Sequence, residues 1–255
     1  MVVLGIVGSP RKNGRTNRLI DAALEGADSK GAETKKIYLV DYEVKQFKGL
    51  DGPGEANTYC PEELSKLAEE AEAIILGAPV YWGDINGLTK DFMDTVRISN
   101  SSSKPALGTA IAGGSGKGLL SGVQTIYHFF FHKQMRAIEP IPVSRFNIEE
   151  SIGKLRIGGA RLASMTKEKD PAPRKMSDEY WPEVTAEYAA LSYLKCDPVD
   201  EFIMLAQQLV KLSTNDKVGK AKAELEKAIT LTAQGKRSDA ARHAVKSYQI
   251  LYFPA

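Results

Sequence analysis

The first half of the chain alternates between continuous apolar runs and segments whose apolar residues recur at helical spacing. The N-terminal run VVLGIVG leads into a glycine-containing loop, and the segment after that loop carries one apolar stripe of Leu19, Ile20, Ala23 and Leu24. Continuous apolar runs are typical of parallel strands that are buried on both faces. The pattern therefore predicts a strand, a loop and a helix from about Thr16 to Ala27.

The same alternation continues to about residue 144. Four further strands are predicted at ETKKIYLVD, AIILGAP, ALGTAIAGG and RAIEPIPVS, with helices at PEELSKLAEEAE, INGLTKDFMDTVR and KGLLSGVQTIYHFFFHKQM. The stretch around DGPG, after the second strand, is predicted to be a loop. Strands that alternate with helices indicate an α/β fold, a doubly wound sheet of five parallel strands in the order 2-1-3-4-5.

The pattern changes after the fifth strand. Residues 145–182 mix short apolar pieces with glycine and proline, and we expect an irregular excursion over the surface. Helices are predicted at about 184–194 and over PVDEFIMLAQQLVKLS, and the Ala- and Lys-rich end has helical periodicity on both sides of QGKR. We therefore expect a main domain over 1–212 and a C-terminal helical hairpin over 213–255.

The amino-acid composition argues against several classes of partner and of metal site. The chain has 255 residues, 43% of them hydrophobic, and a formal net charge of +2. These values are typical of a globular protein and argue against nucleic acid as the main partner. Because no apolar run approaches the ~20 residues of a membrane span, we expect no membrane partner and a cytoplasmic location. Two cysteines, Cys60 and Cys196, are too few for a four-thiolate iron–sulfur or zinc site, and we expect no metal.

The loop GSPRKNGRT after the first strand has the features of an anion site. Its glycine spacing fits neither a Walker A loop nor the dinucleotide-binding fingerprint, and Arg15 stands where a Walker A loop has lysine. The side chains of Ser9, Asn13, Thr16 and Asn17, with the free N–H groups of a helix N-terminus, suit one phosphate monoester.

Two other loops should meet this one, because ligands in such sheets bind beyond the carboxyl ends of the central strands. The third strand is followed by the adjacent aromatic residues Tyr81 and Trp82, and the fourth by the glycine-rich AGGSGKG. A flat ring that carries a phosphate would fit all three loops. The sequence therefore predicts FMN rather than FAD.

The segments GSPRKNGRTNRLIDAALEGA, AEAIILGAPVYWGDINGLTKDFMDTV and AGG resemble the NADPH-dependent FMN reductase and iron–sulfur flavoprotein group of the flavodoxin-like superfamily. The resemblance covers roughly the first 140 residues and implies three sets of FMN-binding residues. The phosphate would contact Ser9, Arg11, Asn13, Gly14, Thr16 and Asn17; the ribityl chain and ring would contact Pro79, Val80, Tyr81, Trp82 and Gly83; and the polar edge of the ring would contact Gly113 and Gly114. Iron–sulfur members carry a cysteine cluster after the second strand, where this chain has only Cys60, so we expect no cluster.

The resemblance implies an oxidoreductase that passes electrons from NAD(P)H through FMN to a small acceptor such as a flavin or a quinone. Since the hydride chemistry belongs to the flavin, no catalytic side chain is expected. Two alternatives remain open: a flavodoxin-type electron carrier, and a flavin-bearing scaffold that binds a protein partner through the C-terminal hairpin.

A homo-oligomer, either a dimer or a tetramer, is also expected. The aromatic helix around IYHFFFHKQM is apolar on all sides, and Tyr81 and Trp82 add further apolar surface. Family members place the flavin near a subunit interface, so the interface is expected to complete the site.

Overall fold

The computed structural model describes residues 1–49, 59–167, 172–214 and 216–253. The strands are β1 (Val2–Val7), β2 (Glu33–Tyr38), β3 (Ala73–Tyr81), β4 (Asp84–Ile85), β5 (Pro105–Ala112), β6 (Arg136–Ala137) and β7 (Ile141–Ser144). The helices are α1 (Arg15–Asp28), α2 (Glu62–Glu70), α3 (Gly87–Thr95), α4 (Leu119–His132), α5 (Ile148–Met165), α6 (Trp181–Ala190), α7 (Pro198–Leu212), α8 (Val218–Ala233) and α9 (Arg237–Tyr252). The predicted DGPG loop, 51–54, lies outside the described residues.

The sheet confirms the expected α/β fold, and its main strands follow the expected order, although among the described residues it has seven strands instead of five. β1 lies between β2 and β3, β5 pairs with the other side of β3, and these pairings are all parallel. The fifth position holds two short strands, since β6 and β7 both pair in parallel with β5. Prolines interrupt the chain between and within these strands, which explains why one predicted strand becomes two. β4 is an additional short strand that turns back antiparallel on the end of β3.

The two faces of the sheet bury separate cores, because successive strand residues point to opposite faces. Leu4 and Ile6 of β1 pack in the cluster that α2, α3, α4 and α6 cover. Val3 and Val7 pack in the cluster that α1 and α5 cover. A third cluster joins α7, α8 and α9 to the start of α4. Helices therefore cover both faces, and the C-terminal helices lie against one end of α4.

Helix α5 corrects the expectation of an irregular excursion over 145–182. Its 18 residues pack on α1 so closely that a Cβ at Gly159 would lie 1.8 Å from the carbonyl oxygen of Ala23. A Cβ at Gly26 would in turn lie 1.9 Å from the carbonyl oxygen of Arg156. Gly159 of α5 and Gly26 of α1 therefore allow the two helix backbones to approach each other. The glycines and prolines of 145–182 predict irregular structure, and that prediction is wrong for residues 148–165.

The aromatic helix α4 is covered within a single chain. Phe131 contacts Trp181 and Tyr188 of α6, with ring centroids 5.2 and 5.3 Å apart, and the hydroxyl of Tyr188 donates a hydrogen bond of 2.9 Å to the carbonyl of Met135. Helix α6 begins three residues before its predicted start and ends at Ala190. An oligomer is therefore not needed to cover this face of α4.

The C-terminal hairpin has the predicted form, with α8 and α9 joined at residues 234–236. The buried carboxylate of Glu224 on α8 contacts Nδ1 of His243 at 2.6 Å and Nζ of Lys246 at 3.0 Å, both on α9. These hydrogen bonds lower the pKa of Glu224 to about 2. In the part of the chain that the structure describes, no helix is long and apolar enough to cross a membrane.

Candidate functional site

A cavity of about 700 Å³ opens at the carboxyl ends of β1, β3 and β5, where the three predicted loops meet. Ten of the predicted site residues line it, and Arg15 and Ile111 line it in addition. The predicted residues are Ser9, Arg11, Asn13, Gly14, Thr16, Pro79, Val80, Tyr81, Gly113 and Gly114. The remaining three, Asn17, Trp82 and Gly83, do not line this cavity.

The loop after β1 is anchored to β3 and α3. The N–H of Gly8 donates to the carbonyl of Gly77 at 2.8 Å, and the carbonyl of Gly8 accepts a hydrogen bond of 2.9 Å from Nδ2 of Asn86. A Cβ at Gly8 would lie 1.9 Å from Oγ1 of Thr89, so only glycine allows this approach. The loop that follows is thereby fixed beside the end of β3.

Helix α1 presents an uncapped N-terminus to the cavity. Its N-cap is Gly14, no side chain caps it, and its first turn carries no acidic residue. Ser9 and Thr16 are buried next to this end, and Oγ of Ser9 accepts a hydrogen bond of 3.1 Å from the N–H of Arg11. The free N–H groups and the positive end of the helix dipole favour an anion here.

Two cations strengthen this preference for an anion. Arg11 is exposed at the rim, and it makes no ion pair with any other described residue. Arg15 reaches from α1 to the loop after β5, where Nη1 donates a hydrogen bond of 3.3 Å to the carbonyl of Gly113. The sequence pattern gives Arg15 no role beyond excluding a Walker A loop. Its place in the first turn of α1 was the available signal for a site residue.

Asn17 points away from the cavity, toward β2. Its Oδ1 accepts hydrogen bonds from Nζ of Lys36 at 3.0 Å and from the hydroxyl of Tyr38 at 2.9 Å, and its Nδ2 donates to Asp21 at 2.8 Å. Burial acts to lower the pKa of Lys36, but hydrogen bonds to Asp21 and Tyr38 raise it overall. The helical periodicity explains the difference, since Asn17 lies about 100° around α1 from Thr16.

The turn between β3 and β4 places Tyr81 beside the cavity and Trp82 outside it. Trp82 and Gly83 have positive φ angles of 54° and 92°. Tyr81 is 43% exposed, and the side chain of Trp82 is fully exposed. The left-handed conformation at Trp82 turns the indole into solvent, which the sequence pattern alone did not indicate.

A second cavity, of about 620 Å³, lies elsewhere, at the outer edge of β7 between α5 and α7. Its rim carries an ion-pair cluster in which Lys154 and Lys211 hydrogen-bond Glu150 and lower its pKa to about 2. This groove is away from the carboxyl ends of the central strands, where ligands bind in this kind of sheet. We therefore take the cavity at the ends of β1, β3 and β5 as the candidate site.

Comparison with known proteins covers the part of the chain that carries this cavity. The family model of NADPH-dependent FMN reductase matches residues 1–145, which contain all three loops. An iron-sulfur flavoprotein of Methanocaldococcus jannaschii is 35% identical over 144 residues, which cover 53% of this chain and 74% of that protein. An iron-sulfur flavoprotein of Archaeoglobus fulgidus is 34% identical over 99 residues, 37% of this chain and 44% of that protein. The chain thus spans less than half the length of the second relative.

A solved structure shows the same fold. The apo form of an NADH:FMN oxidoreductase superimposes with a TM-score of 0.55 and 18% sequence identity, over 68% of this chain and 94% of that one. Helices α5 to α9 follow residue 145 and lie beyond the match to the family model.

Proposed function

Because the chain belongs to the NADPH-dependent FMN reductase family, we propose that it is an FMN-binding oxidoreductase that takes electrons from NAD(P)H and passes them to a small acceptor, such as a flavin or a quinone. The observation that carries this proposal is the meeting of three strand-end loops around one cavity beside an uncapped helix N-terminus. Sites for cofactors of this size are commonly 300–1,000 Å³, so the cavity of about 700 Å³ is large enough.

The phosphate of FMN would bind at the N-terminus of α1. Ser9, Asn13 and Thr16 offer side-chain hydrogen bonds there, and Arg11 offers a charge that no described carboxylate neutralises. Charge-assisted hydrogen bonds of this kind are stronger than neutral ones. Asn17 would act indirectly, since its contacts to β2 hold the first turn of α1 in place.

The ring system would lie between the other two loops. Pro79, Val80 and Tyr81 would contact the ribityl chain and one side of the ring, and Gly113 and Gly114 would contact its polar edge. When bound, the flavin supplies the chemistry, accepting a hydride from a nicotinamide and passing the electrons on. The chain needs only to position the ring and to leave one side open to a second substrate.

An iron–sulfur cluster does not fit this chain. Such clusters need four cysteine ligands, and the sequence has two cysteines. Cys60 is buried in the core, where burial raises the pKa of its thiol, and Cys196 belongs to a different core cluster, beside α7. We therefore propose that electrons pass through the flavin alone. The archaeal relatives, by contrast, are named iron-sulfur flavoproteins.

The identity of the bound flavin tests the proposal. Purified protein is heated, and the released cofactor is compared with FMN, FAD and riboflavin by chromatography. We expect FMN in near-stoichiometric amount, and oxidation of NADH or NADPH by the loaded protein when a free flavin or a quinone is supplied. Release of FAD would contradict the proposed phosphate site, and absence of any flavin from protein incubated with excess FMN would contradict the function.

A further inference from the structure

The loop after β5, residues 113–118, is held by helices that lie far beyond it in the sequence. The carboxylate of Glu201 on α7 accepts two backbone hydrogen bonds, from the N–H of Gly118 at 2.8 Å and from the N–H of Leu120 at 3.0 Å. These are the first N–H groups of α4, whose N-cap is Gly118. Glu201 therefore caps α4 from a separate helix.

Further contacts fix the middle of the same loop. The hydroxyl of Tyr248 on α9 donates a hydrogen bond of 2.8 Å to the carbonyl of Ser115. The ammonium of Lys117 lies 5.7 Å from the ring centroid of Phe202 and 6.0 Å from that of Tyr248. A Cβ at Gly116 would lie 2.5 Å from Cδ2 of Leu205. Helices α7 and α9 thus cover the outer side of the loop.

The inner side of this loop belongs to the candidate flavin site. Gly113 and Gly114 line the cavity. At the other end of the loop, a Cβ at Gly118 would lie 2.6 Å from the Cα of Gly83 and 2.7 Å from Cγ1 of Val80, which lines the cavity as well. One short loop is therefore packed between the cavity and the C-terminal helices.

The two helix N-termini near the cavity differ in charge. The N-terminus of α1 has no side-chain cap and no acid in its first turn, whereas the N-terminus of α4 carries the carboxylate of Glu201. A helix N-terminus acts as a partial positive charge of about half a unit. Glu201 more than offsets this charge at α4 and leaves a net negative charge at the far end of the loop whose first residues, Gly113 and Gly114, we assign to the polar edge of the ring.

We propose that α7 and α9 support the flavin site through the loop after β5, and that Glu201 is the positioning residue through which they keep the reduction potential of the bound flavin low. This inference rests on the proposed function. The reduced flavin carries a negative charge at its polar edge, and a carboxylate held on the loop that would contact this edge disfavours the reduced form relative to the oxidised one. Tyr248 fixes the position of the loop without adding a charge, because its hydroxyl donates a hydrogen bond to the carbonyl of Ser115.

Four full-length variants test this inference: Glu201→Gln, Glu201→Asp, Tyr248→Phe and the matched control Glu226→Gln. Glu226 lies on α8, so its substitution removes one negative charge at a distance from the loop. For each variant, the Kd of oxidised FMN is measured by fluorescence quenching, and the midpoint potential of the bound flavin by anaerobic titration against reference dyes.

Glu201→Gln is expected to favour the reduced flavin about tenfold, which corresponds to a rise of about 30 mV in the two-electron midpoint potential. Glu201→Asp and Glu226→Gln keep the wild-type potential. Tyr248→Phe raises the Kd of oxidised FMN by about three- to tenfold, which corresponds to the loss of one hydrogen bond. It leaves the midpoint potential unchanged.

Equal potentials in Glu201→Gln and Glu226→Gln overturn the proposal. If Glu201→Gln does not fold, wild-type FMN affinity in Tyr248→Phe overturns it instead. Wild-type protein that binds no flavin overturns the proposed function together with this inference. If the wild-type protein binds flavin and Glu201→Gln has the wild-type midpoint potential, this inference alone is overturned.

Discussion

Asn13 lies in the loop after β1 and Thr16 in the first turn of α1. They are the residues through which we expect FMN to be distinguished from riboflavin. Each would donate a hydrogen bond to a phosphate dianion, worth about 1.5–3 kcal/mol. The double variant Asn13→Ala/Thr16→Ala should therefore raise the Kd of FMN at least about a hundredfold. The Kd of riboflavin, which lacks the phosphate, should change little. Fluorescence titration of both ligands gives the two values.

Asn17→Ala is the control for that double variant. Asn17 has a similar polar side chain on the same turn but contacts β2 instead of the cavity, so its loss should change FMN affinity far less. Equal losses for FMN and riboflavin in the double variant would show that the phosphate binds elsewhere.

Ten of the thirteen predicted site residues line the cavity. Loops that follow central parallel strands meet for topological reasons, so the sequence pattern suffices to bring them together. The direction of a single side chain depends on finer geometry. The side chain of Asn17 points toward β2 because of its position on α1, and that of Trp82 points outward because its φ angle is positive. Neither direction can be derived from residue type.

Alanine substitutions at two glycines of α5 should change the free energy of unfolding in opposite directions. Gly159 faces α1, where a Cβ would lie 1.8 Å from the carbonyl oxygen of Ala23, whereas a Cβ at Gly153 would meet nothing within 4 Å. Gly159→Ala should therefore lower the free energy of unfolding by about 1–3 kcal/mol through overpacking. Gly153→Ala should raise it by up to about 1 kcal/mol, because alanine is the better helix former. Urea unfolding of both variants compares the values.

Similar effects of the two substitutions would contradict the close packing of α1 on α5. This contact also explains why α5 was not predicted. Glycine lowers helix propensity locally, and the contact that favours it involves residues about 130 positions earlier in the chain. By contrast, α1, α4, α7 and the hairpin of α8 and α9 were predicted because their apolar spacing is regular.

The hairpin of α8 and α9 should lose stability in acid through Glu224. Its pKa is lowered from 4.5 to about 2 by hydrogen bonds from His243 and Lys246. A carboxyl group whose pKa is lower in the folded state stabilises the protein above its unfolded pKa, and this contribution is lost as the pH falls through the folded value. The free energy of unfolding of wild type should therefore exceed that of Glu224→Gln near pH 6, and the difference should shrink as the pH falls from about 4.5 toward 2.

Denaturant unfolding of wild type and Glu224→Gln across that pH range measures the difference directly. Glu226→Gln, on the same helix, serves as the control and should show no comparable pH dependence. A difference that stays constant from pH 6 to pH 2 would exclude Glu224 as a source of acid sensitivity.

For the whole molecule, we expect an oligomer whose interface contains Tyr81 and Trp82. Trp82 is fully exposed beside the candidate site, and exposed aromatic residues of this size commonly mark interaction surfaces. Trp82→Ala should dissociate at higher protein concentration than wild type, and should lose FMN as it dissociates. Sedimentation velocity, recorded at the flavin absorbance over a dilution series, reports both events.

Ile229→Ala is the control for Trp82→Ala, since Ile229 is an exposed apolar residue of α8, away from the site. A wild-type monomer that keeps its flavin would contradict the oligomer prediction.

The boundary at residue 212, between a main domain and a C-terminal hairpin, stays a prediction. Helices on both sides of this boundary, α7 and α9, pack on the loop after β5. The C-terminal helices would affect flavin binding even though they lie beyond the match to the family model.

The proposed transfer of electrons from NAD(P)H to the bound flavin is tested by mixing the two. FMN-loaded protein is mixed with NADPH under anaerobic conditions in a stopped-flow instrument, and the visible absorbance of the flavin is followed, with a parallel series in NADH. We expect rapid loss of this absorbance with at least one of the two nucleotides, and its return when a quinone or a free flavin is added. A flavin that neither nucleotide reduces, although dithionite does, would contradict the proposed oxidoreductase activity and favour a flavodoxin-type electron carrier.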